Sequence, residues 1–147
     1  MSYQQVPVPG GGHVRERPPP YGTGKDGLPR VLLVEDSALA RRVVTRVLAG
    51  AFHVTAVADA ETALGRFRRG AFDVVLTDHH MVAMTGLELL EQLRVIDPFA
   101  RRVLTSGSEI PGIEGHLATG LVELWLLKPV DLRAALVALI GRKELLS

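Results

Sequence analysis

The sequence contains no cysteine. That excludes a disulfide framework, a thiol nucleophile and a Cys-type zinc site, and it fits a reducing compartment. It also lacks an apolar run of membrane-spanning length, roughly 18 residues or more, and Met1 to Arg30 holds no apolar segment long enough for a signal-peptide core. These absences lead us to expect a cytoplasmic protein with no membrane association. An excess of one charge is missing too, since 17 Lys and Arg face 16 Asp and Glu. Three of the basic and two of the acidic residues precede Arg30, which leaves fourteen of each in the remaining 118 residues. No basic run exceeds two residues, and the Arg41-Arg42, Arg68-Arg69 and Arg101-Arg102 doublets are expected to be solvated. A neutral body of this kind does not carry the electrostatic footprint of direct nucleic-acid binding.

Proline and glycine are concentrated at the start of the chain, where six of the nine prolines and six of the fifteen glycines precede Arg30. Val6-Pro7-Val8-Pro9, Gly10-Gly11-Gly12 and Pro18-Pro19-Pro20 favour extended or flexible backbone and bury little. Residues 1–29 are therefore expected to be a disordered or extended tail, 30–142 a single domain and 143–147 a short C-terminal tail. With 47% hydrophobic and 22% charged residues, the chain has the composition of a globular domain with a sizeable core.

From Arg30 onward, apolar runs alternate with helical patterns. Val31 to Val34 reads as a buried strand that stops at Glu35-Asp36, with Ser37 as the N-cap of a helix carrying Leu39, Val43, Val47 and Leu48 up to Gly50. Phe52 to Val57 is a second strand, and Asp59 caps a helix whose Ala60, Ala63, Leu64 and Phe67 face inward. Phe72 to Leu76 is a continuous β-branched and apolar run ending at Asp78. Leu87, Leu90, Leu93 and Ile96 mark a third helix, stopped by Asp97-Pro98. Arg101 to Thr105 is a fourth strand running into Ser106-Gly107-Ser108. The stretch from Glu109 to Gly120, with Pro111, Gly112 and Gly115, predicts a weak helix. Leu121 to Leu127 is a fifth strand closed by Lys128-Pro129, and Asp131 caps a last helix with Leu132, Leu136, Leu139 and Ile140 on one side.

Five βα units with short links imply parallel pairing and right-handed crossovers, hence a doubly wound α/β domain. The expected sheet is five-stranded and flavodoxin-like, in the order 2-1-3-4-5, which makes strands 1 and 3 neighbours at the switch point where ligands collect. Glu35 and Asp36 then sit beside Asp78, with Ser106 and Lys128 arriving from strands 4 and 5. Each of these residues alone is more often a cap or loop residue, but five of them, from four strand ends, agreeing on one edge argue for a site. Converging carboxylates repel unless a divalent cation binds them, and all-oxygen ligands suit Mg²⁺ or Mn²⁺. Beside such an ion Asp78 can attack a phosphoryl group, with Lys128 and Ser106 contacting its oxygens.

The segments Val31-Leu32-Leu33-Val34-Glu35-Asp36-Ser37, Asp73-Val74-Val75-Leu76-Thr77-Asp78, Met84-Thr85-Gly86, Leu104-Thr105-Ser106-Gly107 and Leu127-Lys128-Pro129 together resemble the receiver domain of bacterial two-component response regulators, of which CheY is the type. The resemblance implies that Asp78 accepts phosphate from a sensor histidine kinase or phosphotransfer protein. It implies a Mg²⁺ site of Glu35, Asp36, Asp78 and the backbone carbonyl of His80. Ser106 becomes the switch hydroxyl, and Lys128 the lysine whose peptide to Pro129 is usually cis. Two positions depart from the pattern. Met81 is followed by Val82 where proline is usual, which predicts a more mobile loop. The aromatic switch position holds Trp125 where Tyr or Phe is usual, and an indole is harder to swing inward.

His79 and His80 point in opposite directions in an extended loop, with no further His or Cys nearby in sequence, which disfavours a metal role for their imidazoles. With only residues 141–147 after the last helix, the expectation is a stand-alone phosphoacceptor that signals through an unknown downstream protein and is not an enzyme. The main alternative is a pseudo-receiver, a phosphorylation-independent interaction module. A phosphatase of the haloacid dehalogenase class resembles Asp-x-Asp at its nucleophile, and here the second position is His80.

Overall fold

The apolar runs form five strands, each followed by a helix: β1 (Arg30–Val34), α1 (Ala38–Leu48), β2 (His53–Val57), α2 (Ala60–Arg66), β3 (Val74–Asp78), α3 (Gly86–Ile96), β4 (Arg101–Ser106), α4 (Ile113–Ala118), β5 (Leu124–Leu127) and α5 (Leu132–Ile140). These elements come from a computed structural model that describes residues 5–7, 13–15 and 27–141. All pairings within the sheet are parallel and its order is β2-β1-β3-β4-β5, the flavodoxin-like 2-1-3-4-5 arrangement.

The pleat sends alternate residues to opposite faces, and both faces are covered. Leu32, Val34, Val75 and Leu104 join a core with Ala63 and Phe67 from α2 and its C-cap, Leu89, Leu90 and Leu93 of α3, and Ile113 of α4. Val31, Leu33, Val74, Leu76 and Val103 pack on the other side against Leu48 of α1 and Leu136, Val137 and Ile140 of α5. Each of these Val, Leu, Ile and Phe side chains, almost wholly removed from water, contributes roughly 1.5–3 kcal/mol. Phe67 stacks on Phe72 with ring centroids 6.0 Å apart, closing the end of the first core.

Ser37, Asp59 and Asp131 cap their helices through bonds from the amides of Ala40, Thr62 and Ala134. Thr85 adds a reciprocal capping box with Glu88 at the start of α3. At the N-terminal edge of the sheet, buried Asp73 takes the Arg30 amide at 2.8 Å and its guanidinium Nε at 3.2 Å, tying β1 to β3.

Several local features add to the sequence reading or correct it. The Leu39, Val43 and Val47 stripe of α1 is exposed, at 69%, 53% and 41%, because α1 meets the sheet through Val44 and Leu48 instead. In α3 Leu89 replaces Ile96 on the buried face. β5 begins at Leu124; Leu121 and Val122 are buried before it, with the Leu121 and Gly120 carbonyls taken by the Arg102 guanidinium. Arg102 is thus buried rather than solvated, bonding the Pro98 and Ala100 carbonyls as well. α4 is short, six residues, with left-handed Gly112 as an N-cap that offers no side chain. In the tail, Gln5–Pro7 and His13–Arg15 form a short antiparallel ladder, an order not suggested by the composition. Residues 27–29 lead into β1, with the Pro29 carbonyl taking the His53 amide at 2.8 Å; the remainder of the tail expected to be disordered or extended, and the residues after Gly141, lie outside the described residues.

Candidate functional site

The site is built at the C-terminal edge of the sheet, where strand register brings chain segments together. Val34 pairs with Val57 and with Thr77, Asp78 with Thr105, and Ser106 with Leu127, so the residues just beyond these pairs share one edge. The turn after β1 is pinned from both sides. The Glu35 amide donates to the Val57 carbonyl at 3.1 Å, and Arg41 of α1 reaches back to the carbonyls of Glu35 (2.7 Å) and Asp36 (3.1 Å). Arg41, read as solvated from the sequence, is therefore a brace for the acidic turn.

Glu35, Asp36 and Asp78 come together, with ligand oxygens within 4.8 Å of one another. Glu35 is buried, Asp36 exposed and Asp78 between the two. One Glu35 oxygen, Oε2, is buried without a hydrogen-bond partner. Burial, and then the negative charge of Asp78, hold the Glu35 carboxyl above its ordinary pKa, only partly offset by Lys128. Lys128 lies across the trio, its Nζ 2.9 Å from Asp78 Oδ1 and 4.0 Å from Glu35 Oε1. The Lys128 amide donates to the Ser106 carbonyl at 2.8 Å, which fixes the start of that loop. The Lys128-Pro129 peptide is cis.

Ser106 is fully buried, and its hydroxyl is engaged away from the carboxylates. It donates to the Ser108 carbonyl at 2.6 Å and accepts the Trp125 indole N–H at 2.9 Å. Trp125 is half-buried against the first core, so the indole already points inward rather than outward. His80 follows Asp78 in the loop with an exposed side chain, and its ring meets His79 edge-on at 5.0 Å, so the two rings do not point apart as an extended loop led us to expect. Burial, and then the neighbouring His80, lower the His79 pKa below its ordinary value, and its Nδ1 is buried without a partner.

Gly86 is the residue whose importance is plain only in three dimensions. A Cβ there would sit 2.5 Å from the Asp78 carbonyl oxygen, 2.7 Å from Leu104 Cδ1 and 2.9 Å from His79 Cα. Its own amide donates to the His79 carbonyl at 2.9 Å. The α3 terminus therefore rests directly on the acidic strand end, an approach that only glycine permits. Beside the trio, a cleft of about 450 Å³ opens between α1 and the start of α5, lined by Val43, Asp78, Lys128 and Pro129 among others.

A family model for the response regulator receiver domain matches residues 31–140. The chain belongs to the response regulator receiver family. A two-component response regulator of Oryza sativa subsp. japonica is 46% identical over 122 residues, covering 74% of this chain and 52% of the relative. A protein-glutamate methylesterase/protein-glutamine glutaminase of Paramagnetospirillum magneticum is 39% identical over 91 residues, 60% of this chain and 24% of that protein. The chain thus spans about half the length of the first of these relatives, and less of the second. Among solved structures, chemotaxis protein CheY4 of Vibrio cholerae superposes with a TM-score of 0.67 at 27% identity, covering 78% of this chain and 98% of that one. The receiver is of the CheY-like, two-component kind. Receiver domains of this family bind Mg²⁺ at an acidic pocket and interact with histidine kinases or phosphotransfer proteins. Among the described residues, no helix is long and apolar enough to cross a membrane.

Proposed function

We propose that this receiver accepts a phosphoryl group on Asp78 from a phosphohistidine of a sensor histidine kinase or phosphotransfer protein, in a Mg²⁺-dependent reaction, and signals by protein contacts. The observation that carries the reading is Lys128 Nζ at 2.9 Å from Asp78, on the same edge as Glu35 and Asp36. An Asp78 oxygen attacks phosphorus, the bond from phosphorus to the imidazole nitrogen breaks, and its electron pair stays on the imidazole. Lys128 exchanges part of its ion pair with Asp78 for the incoming phosphoryl oxygens. The product is an aspartyl phosphate, made and lost stoichiometrically, so the chain is a phosphoacceptor and not an enzyme.

The acidic trio fits a hard cation, because every donor is oxygen and the buried Glu35 Oε2 lacks any other partner. Glu35, Asp36, Asp78 and the backbone carbonyl of His80 would hold it, with Mn²⁺ able to substitute. The ion supplies positive charge for the oxygens of the transferring group. The exposed Leu39, Val43 and Val47 stripe beside the cleft supports docking of a donor protein next to Asp78.

The test is incubation with Mg²⁺ and acetyl phosphate, followed by intact mass. A phosphoryl adduct is expected on the wild-type chain and none on Asp78→Asn. An equal adduct on both, or none on either, refutes the reading.

A further inference from the structure

The Trp125 indole engages the very hydroxyl that the proposed function assigns to the phosphoryl group. Ser106 has one proton, and at 2.6 Å it is committed to the Ser108 carbonyl. One of its lone pairs takes the Trp125 Nε1–H at 2.9 Å. The residue is fully buried, so water cannot replace either partner. To reach a phosphoryl oxygen, the hydroxyl must leave the Ser108 carbonyl and turn away from the indole. The indole nitrogen is a donor only and cannot adapt by accepting. It is then left half-buried without its acceptor, a state that costs free energy.

The bond follows from sheet register. Trp125 pairs with Leu104 and Leu127 with Ser106, so Trp125 and Ser106 are diagonal neighbours on adjacent strands, within reach of a long aromatic side chain. A phenylalanine at this position would keep the apolar packing and make no such bond. A tyrosine would carry its polar atom at the far end of the ring rather than on its side.

Resting on the phosphoacceptor reading of Asp78, we infer that Trp125 is a positioning residue that latches Ser106 in the resting state through its indole N–H, opposing engagement of the phosphoryl group. The latch joins three events: release of the Ser108 carbonyl, rotation of the Ser106 hydroxyl, and freeing of the indole on the β5 edge. Residues 106–108 and Trp125 therefore change together. The strength of one hydrogen bond sets how readily the active state is reached.

The experiment is a beryllofluoride titration of the full chain with Mg²⁺, followed by fluorine NMR of the bound species. Trp125→Phe is expected to bind about three- to tenfold more tightly, the equivalent of one neutral hydrogen bond lost from the resting state. In a Ser106→Ala background the same substitution is expected to change nothing, because the bond is already gone. Equal or weaker binding by Trp125→Phe, or the same gain without Ser106, overturns the latch. The indole N–H resonance of the resting protein supplies a readout that does not depend on phosphorylation. It is expected to shift in Ser106→Ala, and an unmoved resonance overturns the latch whatever Asp78 does. Beryllofluoride that binds neither wild type nor Trp125→Phe overturns the Asp78 reading, and with it the latch; binding that is equal in the two overturns the latch alone.

Discussion

Replacing Gly86 with alanine adds one methyl group at the start of α3, and secondary-structure preference and tertiary packing disagree about the result. Helix propensity favours the change by up to about 1 kcal/mol. Packing opposes it, because the new Cβ falls 2.5 Å from the Asp78 carbonyl oxygen and 2.9 Å from His79 Cα. Leu104 Cδ1, at 2.7 Å, can move by rotating its side chain. The two backbone atoms cannot move so easily, since Asp78 is paired with Thr105 and the His79 amide donates to the Thr105 carbonyl at 2.9 Å. Overpacking by a methylene-sized group costs typically about 1–3 kcal/mol, so after the propensity gain the net loss is roughly 0–2 kcal/mol, toward the upper end because two of the three close atoms are backbone. Gly65 in α2 is the internal control, because a Cβ there meets nothing within 4 Å. Alanine at Gly65 is neutral or stabilising by up to about 1 kcal/mol. Urea unfolding of the two variants checks the pair, with the midpoints compared at unchanged slope. Gly86→Ala also lowers the rate of Asp78 phosphorylation by displacing the acceptor backbone, whereas Gly65→Ala does not. A Gly86→Ala protein as stable as Gly65→Ala would refute the claim that α3 rests on the acceptor strand.

Two further outcomes follow from the site and a third from the opposite edge of the sheet. Glu35→Gln raises the stability of the metal-free protein at pH 7. The raised Glu35 pKa means that its ionised form is the unfavourable one, so the native side chain favours folding when protonated and loses that contribution as the pH rises through the folded pKa. The gain from glutamine therefore fades as the pH falls into the acidic carboxylate range; denaturant midpoints from pH 4 to 8 check it, and a gain that grows toward low pH contradicts it. Lys128→Met removes the cation 2.9 Å from Asp78 and slows phosphorylation by acetyl phosphate about tenfold or more, the scale of one charge-assisted bond. Intact-mass time courses measure this, and an unchanged rate counts against a role for Lys128 at the phosphoryl group. Asp73→Ala leaves the Arg30 amide and guanidinium without their buried acceptor and costs about 3 kcal/mol. Thermal unfolding reads that loss, and a shift of only one or two degrees rejects it.

Much of the architecture was legible because each segment carries its own signal. Buried strands read as apolar runs, and the Ser37, Asp59 and Asp131 caps stand where a side-chain oxygen meets the free amides of a helix start. The acidic pair, Asp78, Ser106 and Lys128 were legible because all follow strand ends, and parallel order carries strand ends to one edge. The α1 stripe was less informative. Leu39, Val43 and Val47 fit a helix, yet periodicity alone does not say whether an apolar face meets the sheet or solvent. Arg41 and Arg102 were misread as solvated doublet members, because a sequence does not show which carbonyls a guanidinium will find.

The sequence by itself determined the five βα units, the neutral charge balance, the absence of thiol chemistry and the set of polar residues that the strand ends bring to one edge. These depend on local propensity, periodicity and composition, which need no knowledge of distant neighbours. The tertiary structure alone decided that Glu35 keeps an unpartnered buried oxygen, that Gly86 has no room for a methyl group, and that Trp125 gives its N–H to Ser106. Each of these depends on distances of a few ångströms between atoms far apart in the chain, set by strand register and side-chain rotamers once the elements have packed.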